Sequence, residues 1–294
     1  MNKLLALFLA ALMIVGIMAG CSNDTPADKP QPKPTAAPTE PPEPVRNEEL
    51  WFQNGEKKIY AQMFLPMEEK DQYPVVVISH GYNGSYTDNV SRAELFARNG
   101  YVAVVFDFCG GGRRSKSDGE ITEMSVLTEA ADLNAVIDGL LAFDYIDSSN
   151  LFLLGASQGG FISAYVAAQR PDDIKALSLL FPAFALQDDC WDRHGSIDNI
   201  PETESFMNVT LGAIFSQDAM SFDIYDVIGG YTGPVLICHG DKDDIVDLSY
   251  AERAITVYAQ AELKVLKGAG HGFRDKHLEE SNGYLVDFLL AHTN

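Results

Sequence analysis

The apolar run Leu151-Phe152-Leu153-Leu154 leads straight into Gly155-Ala156-Ser157-Gln158-Gly159, and an amphipathic segment follows. A strand-length apolar run, a glycine-bounded turn and a helical pattern describe a strand that reverses sharply into a helix, with a serine at the apex. A serine held at so tight a turn leaves no room for side chains two positions before or after it, and Gly155 and Gly159 supply that room. The segment therefore reads as a nucleophile elbow, which restricts the chain to folds in which a strand ends beneath a helix N-terminus.

A serine hydroxyl is a weak nucleophile near neutral pH. It needs a neighbouring base, and the base needs an acceptor that fixes its tautomer and stabilises its cation. Two later segments offer these groups. Residues 234–246 form a buried strand pattern ending in a turn rich in carboxylates, with His239, Asp241, Asp243 and Asp244. Residues 264–273 form a short strand pattern ending in Gly270-His271-Gly272. The chain order serine, aspartate, histidine is the order of α/β-hydrolases, not of the chymotrypsin or subtilisin types.

The rest of the chain supports a matching architecture. Strand patterns fall at residues 49–53, 57–65, 74–80, 101–106, 151–156, 175–181, 235–239 and 262–266. The first two form a hairpin around Asn54-Gly55. Helical patterns fall at residues 91–99, 122–143, 158–170, 248–260 and 278–292. Alternation of strand and helix predicts an α/β fold: a mainly parallel eight-stranded sheet flanked by helices, with its site at the strand carboxyl ends. Residues 184–231 interrupt the rhythm; rich in aromatics and acids, they read as a small helical cap inserted over the nucleophile.

Two further segments bear on the site. His80-Gly81-Tyr82-Asn83-Gly84 follows the third strand, where this architecture puts one oxyanion donor, so the N–H groups of Tyr82 and Gln158 are expected to converge on a carbonyl oxygen. Asp107 to Gly112 with Lys116-Ser117-Asp118-Gly119 is a glycine-rich loop without the spacing of a phosphate loop, which argues against a nucleotide role. The carboxylates around His239 are better explained as a triad acid with solvated neighbours than as a metal cluster. His194, His277 and His292 are expected to face solvent.

From about residue 57 to the end, the chain resembles the α/β-hydrolase superfamily and, within it, the bacterial cinnamoyl and feruloyl esterase-like group. The resemblance is carried by His80-Gly81 with Gly84, Asp107 to Gly119, the Ser157 elbow, His239-Gly240-x-x-Asp243-x-x-Val246 and Gly270-His271. It departs from the group's pattern in the extra Arg113-Arg114-Ser115, in Ala156 where histidine is common, and in Asp247 where proline usually follows the valine. The resemblance implies a serine esterase acting on small-molecule esters. Ser157 is the nucleophile, His271 the base, Asp243 the orienting acid, and Tyr82 and Gln158 the oxyanion donors, with neither metal nor organic cofactor. Two other readings stay open: a prolyl-oligopeptidase-like serine peptidase, and a non-catalytic surface-binding lipoprotein that kept the fold.

The N-terminal part reads differently. Residues 1–20 carry Lys3, an apolar stretch and Met18-Ala19-Gly20 before Cys21, a layout that resembles a bacterial lipoprotein signal with Cys21 as lipid acceptor. Residues 21–46 are a proline-rich linker with no apolar face to pack, so extended geometry is expected. The hydrolase domain then occupies residues 47–294, and the protein is expected outside the cytoplasm, anchored by lipid to the bacterial cell membrane. The net charge of −21 argues against nucleic acid, and it means that anchoring has to work through the acyl group and not through a basic patch. Cys109, Cys190 and Cys238 remain, an odd number that favours free thiols over a disulfide framework, with one bridge as the alternative. Oligomeric state is not legible in the sequence. Replacing Cys21 with alanine is expected to release the protein into the medium or strand it as a precursor, read by fractionation and intact mass; a membrane-bound variant of unchanged mass would refute lipidation.

Overall fold

The structure, a computed structural model, describes residues 44–294. The signal segment, Cys21 and most of the linker lie outside the described residues. Among those described, no helix is long and apolar enough to cross a membrane.

In chain order the elements are β1 (Arg46–Asn54), β2 (Lys57–Leu65), β3 (Tyr73–Ser79), α1 (Val90–Arg98), β4 (Val102–Phe106), α2 (Val126–Leu141), β5 (Ile146–Ala156), α3 (Gln158–Gln169) and β6 (Ala176–Leu180). There follow α4 (Leu186–His194), β7 (Thr203–Phe206), β8 (Val209–Gly212), α5 (Ala213–Ala219), α6 (Ile224–Ile228), β9 (Val235–Gly240), α7 (Leu248–Val257), β10 (Ala261–Leu266) and α8 (Asp275–His292). An eight-stranded sheet runs in the order β1-β2-β4-β3-β5-β6-β9-β10. Its first two pairings, β1 with β2 and β2 with β4, are antiparallel, and the rest are parallel.

The parallel strands read as continuous Val, Ile and Leu because both faces are covered. On β3, Val75 and Val77 point into one core with Leu133, Ile137 and Ile162 of α2 and α3. Val76 and Ile78 point into the other, with Phe96 of α1 and Leu285 and Leu289 of α8. Burial of this kind stabilises by about 25 cal/mol per Å² of apolar surface removed from water, so one continuous strand contributes to two cores at once.

Helix α3 departs from expectation in one respect. It is buried on nearly every side, from Gln158 to Ala167, and is not amphipathic. It lies so close on the sheet that a β-carbon at Gly155 would collide with the Gly159 carbonyl, and one at Gly159 with the carbonyls of Ser79 and His80.

The insertion between β6 and β9 also differs from the expected helical cap. It has three short helices and an antiparallel β7–β8 hairpin. Met207 and Asn208, at φ 47° and 63°, form the turn, and two left-handed residues in succession match the right-handed twist of the strands they join. The alternation in Thr203–Phe206 and Val209–Gly212 is only four residues long on each side, too short to stand out from a polar helical region.

Steric contact at the elbow makes a prediction. Gly159→Ala is expected to destabilise the fold by about 3 kcal/mol or more, because the colliding atoms are backbone and have nowhere to go. Gly283 lies mid-helix in α8 with open space around it, so Gly283→Ala is expected to stabilise by up to about 1 kcal/mol. Urea unfolding of both variants checks the pair.

Candidate active site

Ser157 joins β5 to α3 with φ 53° and ψ −120°, a conformation an L-residue adopts only under constraint. The constraint is a set of main-chain bonds. The Ser157 N–H donates to the Leu180 carbonyl at 2.9 Å, and its carbonyl accepts from Gly160, Phe161 and Ala183 at 2.9, 3.2 and 3.0 Å. The hydroxyl is thereby held above the carboxyl ends of β5 and β6.

His271 sits on the loop between β10 and α8. Its Nε2 is 2.9 Å from Ser157 Oγ, and its Nδ1 is 2.8 Å from Asp243 Oδ2. The Phe181 ring packs against the imidazole at 4.7 Å, and the side chain keeps 14% exposure. Asp243 has none. The two loops that carry acid and base are stitched together: Lys242 N–H donates to the Ala269 carbonyl at 2.9 Å, and Gly268 N–H donates to Asp241 Oδ1 at 2.6 Å. Asp241 is thus occupied in closing a turn, and Asp244 is exposed on the outgoing loop. Of the neighbouring carboxylates, Asp243 is the one that meets His271.

The candidate oxyanion donors also come close to the serine. A β-carbon at Gly81 would lie 3.1 Å from Ser157 Cβ, so the segment after β3 passes directly beside the nucleophile. Among the described residues, the N–H groups of Tyr82 and Gln158 donate to no other group. His80, buried beneath them, donates from Nδ1 to the Gly81 carbonyl at 2.8 Å and accepts the Phe108 N–H on Nε2 at 3.2 Å. Burial lowers its pKa, which matches an imidazole used as a neutral bridge between two loops.

The side chains of these two residues have partners the sequence did not suggest. Tyr82 Oη donates to the Phe206 carbonyl of β7 at 3.1 Å, and its ring packs edge-on to Phe206 and Phe215, so the cap rests on the segment after β3. Burial pushes its phenol up to about 12. Gln158 Nε2 donates to Glu129 Oε2 at 2.6 Å. Glu129 faces inward from α2, and its burial raises the carboxyl to about 8.

Other expectations are corrected or resolved by packing. His194 is not solvent-facing: its side chain is 6% exposed and its Nε2 lies 3.1 Å from Ser216 Oγ and 3.3 Å from Glu204 Oε1, inside the cap. Cys109, Cys190 and Cys238 are free and buried. The extra Arg113 and Arg114 join loops: Arg114 pairs with Asp88 at 2.7 Å, while Arg113 donates from its main chain to Asn83 Oδ1 at 3.1 Å and from its guanidinium to the Asn208 carbonyl at the hairpin turn. His239 lies beside the acid, its Nε2 3.3 Å from Asp243 Oδ2.

Glu129 carries a pH prediction. Its folded-state pKa is raised, so between about pH 4.5 and about pH 8 the unfolded chain releases a proton that the native protein keeps. Stability falls as pH rises through that window. Glu129→Gln removes the dependence, so its stability relative to the parent is expected to increase between about pH 5 and about pH 8 in urea unfolding; a difference that stays constant with pH would refute the buried neutral carboxyl.

The chain is similar to known esterases, lipases and peptidases. A family model described as acetyl xylan esterase matches residues 39–128. The structure of Est1E from Butyrivibrio proteoclasticus with ferulic acid bound superposes with a TM-score of 0.76 at 26% identity, covering 83% of this chain and 98% of that one. Lipase 3 of a Moraxella species is 23% identical over 261 residues, 74% of this chain and 76% of its own. The prolyl endopeptidase of Dictyostelium discoideum is 21% identical over 229 residues, 71% of this chain but 29% of that much longer protein. A model described as the prolyl oligopeptidase family matches residues 87–294, which hold the elbow, the acid and the base together. With its α/β-hydrolase fold and a match across most of its length, the chain belongs to the prolyl oligopeptidase family.

Proposed function

We propose that this carboxylic ester hydrolase works through Ser157, His271 and Asp243 and an acyl-enzyme. The observation that carries the reading is the unbroken relay from Ser157 Oγ to His271 Nε2 at 2.9 Å and from His271 Nδ1 to Asp243 Oδ2 at 2.8 Å. Ser157 Oγ attacks the ester carbonyl while His271 Nε2 takes its proton. The Tyr82 and Gln158 N–H groups receive the developing oxyanion, the kind of preorganised donation that is worth about 3 kcal/mol per donor elsewhere. His271 then protonates the departing alcohol. Water, deprotonated by the same imidazole, attacks the acyl-enzyme, and the acid product leaves as Ser157 recovers its proton. Asp243 keeps the tautomer and orientation of His271 throughout.

The substrate class is read from the cap. Tyr82 follows Gly81, which passes beside Ser157, and its ring packs on Phe206 and Phe215 of the cap; an aromatic setting suits short acyl and hydroxycinnamoyl esters, and the likeness to a ferulate-bound esterase supports that choice. The lipoprotein-like segment before Cys21 and the proline-rich linker support an enzyme tethered to the outer side of the cell membrane. A second reading, a peptidase, is supported by the family match over residues 87–294.

Fluorophosphonate labelling of the parent but not of Ser157→Ala tests the nucleophile. Asp243→Asn is expected to lose about 10⁴ in kcat, whereas Asp241→Asn and Asp244→Asn stay within about tenfold of the parent. If either neighbour is the dead variant, the acid is reassigned. In a panel of esters and amides, short acyl and hydroxycinnamoyl esters are expected to turn over well ahead of peptides; preference for proline-containing peptide amides over every ester would put the peptidase reading first.

A further inference from the structure

The acid of the triad has a second histidine. Asp243 has no exposed side-chain surface, so each of its lone pairs must find a donor within the protein. Oδ1 accepts the N–H groups of Ile245 at 3.0 Å and Val246 at 2.9 Å. Oδ2 accepts His271 Nδ1 at 2.8 Å, and His239 Nε2 stands 3.3 Å from the same oxygen. His239 Nε2 is also 2.8 Å from the Val246 carbonyl, which can only accept. The proton of His239 therefore resides on Nε2.

We propose that His239 is a positioning residue for the triad acid: a neutral imidazole fixed in one tautomer, whose Nε2–H ties down the Val246 carbonyl, whose ring stands 3.3 Å from Asp243 Oδ2, and which so keeps the loop that holds the carboxylate turned toward His271. The inference rests on the triad reading given above. Desolvation at the end of β9 keeps the His239 pKa low, which favours a donor that stays neutral. The Val246 carbonyl and the Val246 N–H are both engaged, one by His239 and the other by Asp243, so strand end, outgoing loop and acid are joined in one chain of bonds. Without His239 the Val246 carbonyl loses its donor, and the loop whose N–H groups hold Asp243 Oδ1 is free to shift and carry the carboxylate off its alignment with His271.

The test is a double-mutant cycle on purified, folded variants, with a short acyl ester as substrate. His239→Leu is expected to lower kcat by about tenfold to a hundredfold, the scale of leaving one buried carbonyl without its donor, with KM little changed. His239→Gln, whose amide N–H reaches a similar point, is expected to recover most of the loss. In the Asp243→Asn background, His239→Leu is expected to cost less than about twofold, because a residue that acts through Asp243 has nothing left to position. Three outcomes overturn the proposal: His239→Leu with parental kcat, an equal penalty in both backgrounds, or a glutamine variant no better than leucine. Fluorophosphonate labelling of the parent separates the two readings. A parent that resists the probe removes the triad and this inference together, whereas a labelled parent with an unimpaired His239→Leu removes this inference alone.

Discussion

A left-handed backbone at a serine is unfavourable by about 1 to 3 kcal/mol, and it persists only where its surroundings leave no alternative. At Ser157 the surroundings are hydrogen bonds and contact. One carbonyl gathers three N–H donors, the N–H is tied to the end of β6, and α3 presses so near the sheet that only glycine fits at positions 155 and 159. The remaining parts of the site take their places from this turn. β3 ends beside it, β6 is bonded to it, and the histidine reaches it from the far side of the sheet. Close packing of α3 is thus both a stability device and the means by which a hydroxyl is lifted out of the core.

The loops at the carboxyl edge are held by polar groups rather than apolar ones. Asp107 accepts the N–H groups of Tyr86 and Lys116, each at 2.7 Å, and so binds the segment after β3 to the glycine-rich loop after β4. Asp132 does the same for Cys109 and for Asn54 in the first hairpin, at 2.7 and 2.8 Å. A loop offers little apolar surface but many main-chain donors, and a carboxylate facing inward can collect several of them. This accounts for acids buried in the core of a strongly acidic chain, where their hydrogen bonds offset the desolvation that burial imposes.

The cap is organised on the same principle. Arg193 and His194 of α4, Glu204 of β7 and Ser216 of α5 meet in a polar cluster, while the Arg193 guanidinium lies 4.4 Å above the Phe206 ring. These contacts fix the hairpin to the helices on either side of it. The hairpin in turn accepts the Tyr82 hydroxyl and the Arg113 guanidinium, so the cap is joined to the loops after β3 and β4.

Much of this was written locally. The Leu151–Leu154 run with its glycine-bounded serine determined the elbow, because strand period, turn sterics and helix start act over a few residues. The continuous Val/Ile runs determined a sheet covered on both faces, and the family resemblance carried by Gly240, Asp243 and Val246 pointed to one acid among close neighbours. Tertiary structure alone decided the rest. Glu129 and Gln158 are 29 positions apart, and His194 and Ser216 are 22. A buried polar side chain leaves no periodic trace in sequence, since its partner is chosen by which elements pack together. The β7–β8 hairpin escaped because its strands are short and its turn uses Met207-Asn208 without glycine. His239 was visible as a residue, but its bond to the Val246 carbonyl and its place beside Asp243 depend on the turn that brings the strand end and the outgoing loop back to one point, and only the folded chain makes that turn.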